Sequence, residues 1–287
     1  MASLRDTRRR ITSVKNTRQI TRAMKLVAGA KLRRATEAAT AAKPYQQTLS
    51  RVLGRVVAKA GGEIEHPLLS TPDNDTDILV AVISSDRGLC GAFNSQLLRA
   101  IQADVDALIA EGKSVRLLTF GKKSTSHFQK RGYQVEASTV DLDPADYAAE
   151  ADKLADLMMA EMASSGFERA FIAYNDYRSV LSQVPTFAQV LPMVITTEDD
   201  DAGGDIIYEP DGADLLGRLL PMALRTQLFQ AFLETQAGEQ AARMAAMDNA
   251  TRNASDLIDD LTLLYNRGRQ AAITTELTEI VSGAEAL

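Results

Sequence analysis

The chain has 287 residues, 45% of them hydrophobic and 24% charged, with a net charge of −6; that length supplies one or two domains with ample core material. Its one cysteine, Cys90, forms no internal disulfide and fits a reducing compartment, and with His66 and His127 it leaves too few nitrogen and sulfur ligands for an ordinary zinc site. The longest apolar run, Ile78–Ile83, falls far short of the roughly twenty residues that cross a bilayer.

Residues 2–59 hold one proline, Pro44, and an apolar stripe at Ile11, Val14, Thr17, Thr21, Met24, Ala28, Leu32 and Ala35. Steps of three and four predict a long helix, and the small residues let a second backbone approach closely. Arg5–Arg10 leads into more basic helix rather than an apolar segment, so no signal peptide is expected. Residues 1–34 carry eleven Lys/Arg against Asp6 alone, a net +10; with −6 for the whole chain, the remainder carries −16. A basic helix on an acidic protein calls for nucleic acid, a membrane surface or an acidic protein. No aromatic residue precedes Tyr45, so base stacking is lacking, and the apolar face has no Phe or Trp to insert into lipid. An acidic protein surface is favoured.

Gly61–Asp77 reads as a connection, and Asp77–Ser85 as a buried strand. Helical pattern follows at Ala92–Glu111, Lys123–Arg131 and Pro144–Ser165, with strands at Val115–Phe120, Tyr133–Ser138, Glu168–Tyr174 and Thr186–Val194. Pro185 and Pro192 place the last strand at a sheet edge. This alternation predicts a small, mainly parallel α/β domain of Rossmann-like type. At the end of its first strand lies SSDRGLCGAFN (84–94), where open α/β sheets bind ligands. The segment lacks the lysine and Ser/Thr of a P-loop and the three-glycine dinucleotide spacing. It is expected to be a glycine-shaped turn in which Asp86 and Arg87 bond to each other, with no catalytic role for Cys90. Thr196–Asp211 is an acidic loop.

Asp211–Leu287 holds one proline, Pro221, and a stripe at Met247, Thr251, Ala254, Ile258, Leu261, Tyr265, Gly268, Ala272 and Thr275. A heptad so sustained predicts one very long helix, roughly 100 Å, packed along another. The expected architecture is therefore an antiparallel coiled coil of residues 1–60 and 212–287, with a globular α/β domain at 61–211. Two other classes fit the residues so far: a basic coiled-coil nucleic-acid-binding protein, and a ligand-binding α/β protein with helical arms.

Three segments carry a resemblance: RRRITSVKNTRQITRAMKLVAGAKLRRA (8–35), DRGLCGAFN (86–94) and EQAARMAAMDNATRNASDLIDDLTLLYNRGRQAAITTELTEIVSGAEAL (239–287). Together they resemble the gamma subunits of F-type ATP synthases, of the bacterial type. The resemblance covers the whole chain. It implies a central stalk inside a ring of alpha and beta subunits, touching epsilon, with delta a further partner of the complex, and standing on the membrane c-ring. Proton-driven rotation of that ring would then be coupled to ATP synthesis or hydrolysis on other subunits. The chain would itself bind no cofactor, metal or nucleic acid, insert in no membrane, and lie at the cytoplasmic face of the bacterial inner membrane. Implied contacts to the alpha–beta ring are Arg8, Arg9, Met24, Arg243, Arg269, Gln270 and Thr274; Tyr208 and Glu209 are implied on the epsilon and c-ring side. If Met24 lies near Arg243, as the resemblance implies, paired residues have numbers totalling about 267. Val14 then faces residues 252–254, Ala35 faces Phe232, and residues 267–287 overhang unpaired. Members from plant plastids carry a cysteine pair for thiol control, which a chain with Cys90 alone lacks.

Overall fold

The structure, a computed structural model, describes residues 4–59, 66–70, 74–195 and 212–285. The elements in chain order are α1 (Leu4–Lys59), β1 (Asp77–Ile83), α2 (Phe93–Ala110), β2 (Ser114–Phe120), α3 (Lys122–Gln129), β3 (Val135–Thr139), a 3-10 turn (Pro144–Asp146), α4 (Tyr147–Ala163), β4 (Arg169–Ser179), β5 (Ser182–Leu191) and α5 (Gly212–Glu285). By compactness the chain divides into two units. One comprises the described parts of Ala30–Ala242, the other those of Met1–Gly29 and Arg243–Leu287.

In the larger unit the five strands form one sheet in the order β3-β2-β1-β4-β5. The first four run parallel, and β5 returns antiparallel along β4. β1 is central and covered on both faces, which is why DILVAVI is apolar throughout instead of alternating. Its odd residues, Leu79, Ala81 and Ile83, join a core with Leu49, Leu53 and Val56 of α1, Leu154 and Met158 of α4, and Leu216, Leu220, Leu224 and Phe232 of α5. Its even residues, Ile78, Val80 and Val82, pack on Leu97, Ile101 and Val105 of α2 and Phe128 of α3. Helical burial on this scale carries α1 through Pro44 and α5 through Pro221; a proline in a helix interior removes a hydrogen bond and costs about 3 kcal/mol.

The last two strands differ from expectation. β4 continues past Tyr174 to Ser179, and β5 begins at Ser182, so the two make a hairpin whose outer part pairs with nothing else in the sheet. Asn175–Ser179 reads as polar loop in isolation; the antiparallel ladder makes it strand. Buried Asn175 ties this extension to α2 by donating from Nδ2 to the Phe93 carbonyl at 3.3 Å. Gly238 of α5 lies where a Cβ would be 3.0 Å from Phe93 and 3.2 Å from Gln183, so the helix approaches the hairpin more closely than a larger residue permits.

In the smaller unit α1 and α5 run antiparallel, as expected, but in a different register. Thr251 Oγ1 donates to Thr21 Oγ1 at 2.8 Å, Lys25 Nζ meets Asp248 Oδ1 at 2.5 Å, Met244 Sδ lies against Gly29, and Leu4 lies against Gly268. These pairs are displaced by about five residues from the expected alignment, more than one helical turn. Thr21, Ala28, Met247, Ala254, Ile258 and Leu261 are buried along the seam. Thr17 is exposed and Arg18 is half-buried in its place. Pairing reaches Gly268, which meets Leu4, the first described residue of α1, so the overhang begins later than expected, and Thr275 beyond it is exposed.

Candidate partner-binding surface

The basic start of α1 lies outside the seam. Thr7 is buried and Ile11 half-buried, while Arg8, Arg9 and Arg10 between them are exposed. Two to four turns later, Arg18, Gln19, Arg22 and Lys25 line one wall of a cleft of about 430 Å³, opposite Asp248, Thr251 and Ser255. Asp248 is the one carboxylate of that lining. The hydrogen bond from Lys25 and the neighbouring Arg252 guanidinium, 2.8 Å away, hold its carboxyl below the ordinary aspartate value. The cleft therefore presents cations whose nearest acid is already engaged.

Apolar side chains also face outward from this unit. Ile20 and Val27, seven apart on one face of α1, are 60% and 57% exposed, and Leu26 beside them is exposed too. On α5 the exposed set is Leu257, Leu263, Leu264, Ile273, Leu277, Ile280 and Val281. An exposed apolar set of this extent on a charged helix pair marks a surface that another protein covers. Heptad reasoning missed it because it followed the narrow seam and ignored the second stripe at positions 20 and 27.

The residues implied by the resemblance fall into three groups. Arg8, Arg9, Arg269, Gln270 and Thr274 are exposed, and Thr274 Oγ1 donates to the Gln270 carbonyl at 3.0 Å, which places those two on one face. Met24 is half-buried and Arg243 is buried, and the observed register does not bring them together: Met24 lies beside the Lys25–Asp248 and Thr21–Thr251 pairs, while Arg243 is level with the Gly29 end of the seam. Tyr208 and Glu209 lie outside the described residues.

The turn after β1 is held by internal bonds. Asp86 Oδ1 accepts the backbone N–H of Lys122 at 2.9 Å, so it caps α3 and does not pair with Arg87, whose side chain is exposed. Gly121 precedes that helix at φ 96°, and a Cβ there would be 2.4 Å from the Ser84 carbonyl oxygen; only glycine fits. Ser85 Oγ donates to the Arg87 carbonyl at 2.7 Å, and Asn94 Nδ2 reaches Cys90 Sγ at 3.2 Å, leaving the thiol buried. His127 bonds Gln102 at 2.9 Å and meets Phe128 edge-on. Among the described residues no helix is long and apolar enough to cross a membrane.

Comparison with known proteins gives a single picture. The family profile described as ATP synthase matches residues 3–287. The chain is 47% identical to the ATP synthase gamma chain of Paracoccus denitrificans, 44% to that of Brucella canis and 43% to that of Sinorhizobium fredii, in each case over 100% of both chains. Its fold is similar to the rotor of Euglena gracilis mitochondrial ATP synthase (TM-score 0.59, 20% identity, covering 94% of this chain and 98% of that one). It is also similar to a chain of the Tetrahymena thermophila mitochondrial ATP synthase central stalk and c-ring (TM-score 0.57, 24% identity, covering 80% and 99%).

Proposed function

Because this chain belongs to the family of ATP synthase gamma chains and is the central rotor subunit of such an enzyme, we propose that its exposed helical surfaces turn within a ring of alpha and beta subunits. Rotation of a c-ring driven by protons reaches the catalytic sites on those subunits through α1 and α5, and the chain itself performs no chemistry. Only unequal contact with successive neighbours drives them between states, so a rotor needs many weak contacts rather than one strong site. The observation that carries this reading is the row of exposed apolar residues on α5 past the end of α1, from Ile273 to Val281.

Arg8 and Arg9, with Arg269, Gln270 and Thr274, then form the contacts to acidic and polar loops of the ring. Met24 and Arg243 act from within the helix pair rather than on its surface. Tyr208 and Glu209 belong to the side that meets epsilon and the c-ring. The complex lies at the cytoplasmic face of a bacterial inner membrane, with this chain peripheral to it.

The test is reconstitution of the full chain with alpha and beta subunits. Leu277→Asp with Ile280→Asp should reduce the yield of assembled, ATP-hydrolysing complex several-fold while the far-UV dichroism of the free chain is retained. Normal assembly and coupling by that variant would remove the α5 end from the interface.

A further inference from the structure

Within the larger unit, α5 is enclosed over a stretch where a surface helix would keep one face in water. From Leu228 to Ala241 none of its residues is exposed, and burial all round marks a helix surrounded by its neighbours. α1 forms one wall: Gln230 Nε2 donates to the Ala39 carbonyl at 3.4 Å, and Lys43 Nζ stands 3.6 Å from Glu234 Oε1. α2 and the β4–β5 hairpin form another, and they meet α5 at Gly238. A Cβ on Gly238 would be 3.0 Å from Phe93 Cε2, 3.2 Å from Gln183 Cγ and 3.8 Å from Gln183 Cβ. Glycine in a helix interior costs about 1 kcal/mol relative to alanine; here the Phe93 ring and the Gln183 stem take the volume that an alanine methyl would need.

The walls of this socket are themselves braced. Asn175, on the part of β4 beyond the last residue paired with β1, donates to the Phe93 carbonyl at 3.3 Å and so ties the hairpin to α2. Gln183 Nε2 donates to the carbonyls of Ser179 at 2.9 Å and Val180 at 3.0 Å. Its side chain therefore closes the hairpin turn and cannot swing away from α5 without giving up both bonds. Phe93 opens α2 at the carboxyl end of β1, and the hairpin extends β4 from the same end of the sheet. Open α/β sheets receive a ligand in the crevice at that end. In this chain the crevice receives α5.

We propose that Phe93 and Gln183 seat α5 at Gly238 like a key in a slot, so that the α/β unit turns the long helix without slack and Gly238 is a positioning residue for rotary coupling. This rests on the rotor reading above and names the place where rotation enters α5. The helix leaves this unit after Ala242, about one turn beyond Gly238, so a loose seat there would let it twist and swing before passing any rotation onward. Thermal angular variance is inversely proportional to torsional stiffness, and the compliances of elements in series add. Slack at this one contact therefore widens the angular spread of the whole rotor.

The test uses the full chain assembled with alpha and beta subunits, with a probe on the α/β unit recording rotation during ATP hydrolysis. Gly238→Leu, which overfills the slot, should raise the angular variance at each catalytic pause several-fold. Gln183→Cys with Gly238→Cys, in a Cys90→Ser background, sets two Cβ atoms 3.8 Å apart, the usual separation in a disulfide. Oxidation of that pair should leave the rotation rate unchanged and bring the variance to the wild-type value or below it; reduction should widen it again. Should Gly238→Leu fail to fold, Gln183→Ala, which removes one wall without obstructing α5, carries the same expectation. A lowered thermal midpoint with wild-type variance would make the contact purely structural and overturn the proposal. So would a disulfide that halts rotation, because a contact that must open in each turn is no seat. A wild-type complex that does not rotate would overturn the rotor reading and the seat with it.

Discussion

The register of the helix pair is open to a direct test with paired cysteines in a Cys90→Ser background. Thr21 and Thr251 touch through their hydroxyls at 2.8 Å, which holds their Cβ atoms within about 6 Å, so a small approach of the helices brings them to disulfide distance. A shift of five residues along a helix displaces a partner by about 7.5 Å at 1.5 Å per residue, beyond the roughly 4.4–6.8 Å Cα separation that a disulfide spans. Thr21→Cys with Thr251→Cys should therefore close rapidly under mild oxidation, and Met24→Cys with Arg243→Cys should not. The new bond joins residues 230 apart in sequence, and chain-entropy arithmetic for a loop of that size gives about 5 kcal/mol of stabilisation at 25 °C, less any strain. Non-reducing electrophoresis reads closure, and urea unfolding of the oxidised chain against the reduced chain reads stability. Faster closure of the 24/243 pair would refute the observed register, and with it the account of where pairing ends near Gly268.

Further expectations concern the larger unit and the basic cleft. Phe232 is 2% exposed, meets Phe120 edge-on at 5.2 Å and stacks on Tyr147 at 5.4 Å; Phe232→Ala should cost about 3–5 kcal/mol, and a loss under 1 kcal/mol by urea unfolding would deny it a place in the core. Gly121→Ala forces a Cβ onto the Ser84 carbonyl and strains a positive φ; a destabilisation of about 1–3 kcal/mol is expected, with the nearby Asp86–Lys122 cap lost in amide exchange. Asp248 titrates below the usual aspartate value because of Lys25 first and Arg252 second, so its contribution is present above the unfolded value near 3.9 and fades as pH falls through its own. Asp248→Asn should abolish that acid dependence while leaving the neutral-pH midpoint little changed, since the pair is exposed and salt-screened. Reversing Arg8, Arg9 and Arg10 to glutamate together should weaken assembly, with each single reversal nearly silent; equal assembly of the triple variant, measured by co-purification with alpha and beta subunits, would exclude a charge contribution from this stretch.

Much of the architecture was legible without coordinates. Period-3.5 stripes ending on Leu32 and Ala35 at one end of the chain and running through Ile258 and Leu261 at the other called for paired helices. The unbroken apolar run Ile78–Ile83 called for a parallel strand covered on both faces. Local periodicity suffices for such elements because each residue's face is set by its immediate neighbours. Register is another matter. A seam of small residues such as Gly29, Ala28 and Ala254 fits several alignments almost equally well, and the choice is made by the Thr21–Thr251 and Lys25–Asp248 contacts, between residues far apart in sequence. The same holds for Asn175–Ser179, which becomes strand only because β5 lies beside it. It holds too for Glu234, whose sequence neighbours describe an ordinary helical glutamate. Only the fold shields its side chain from water and brings Lys43 of α1 to 3.6 Å from it, and electrostatic character of that kind depends on distance in space and on local dielectric, neither of which is written along the chain.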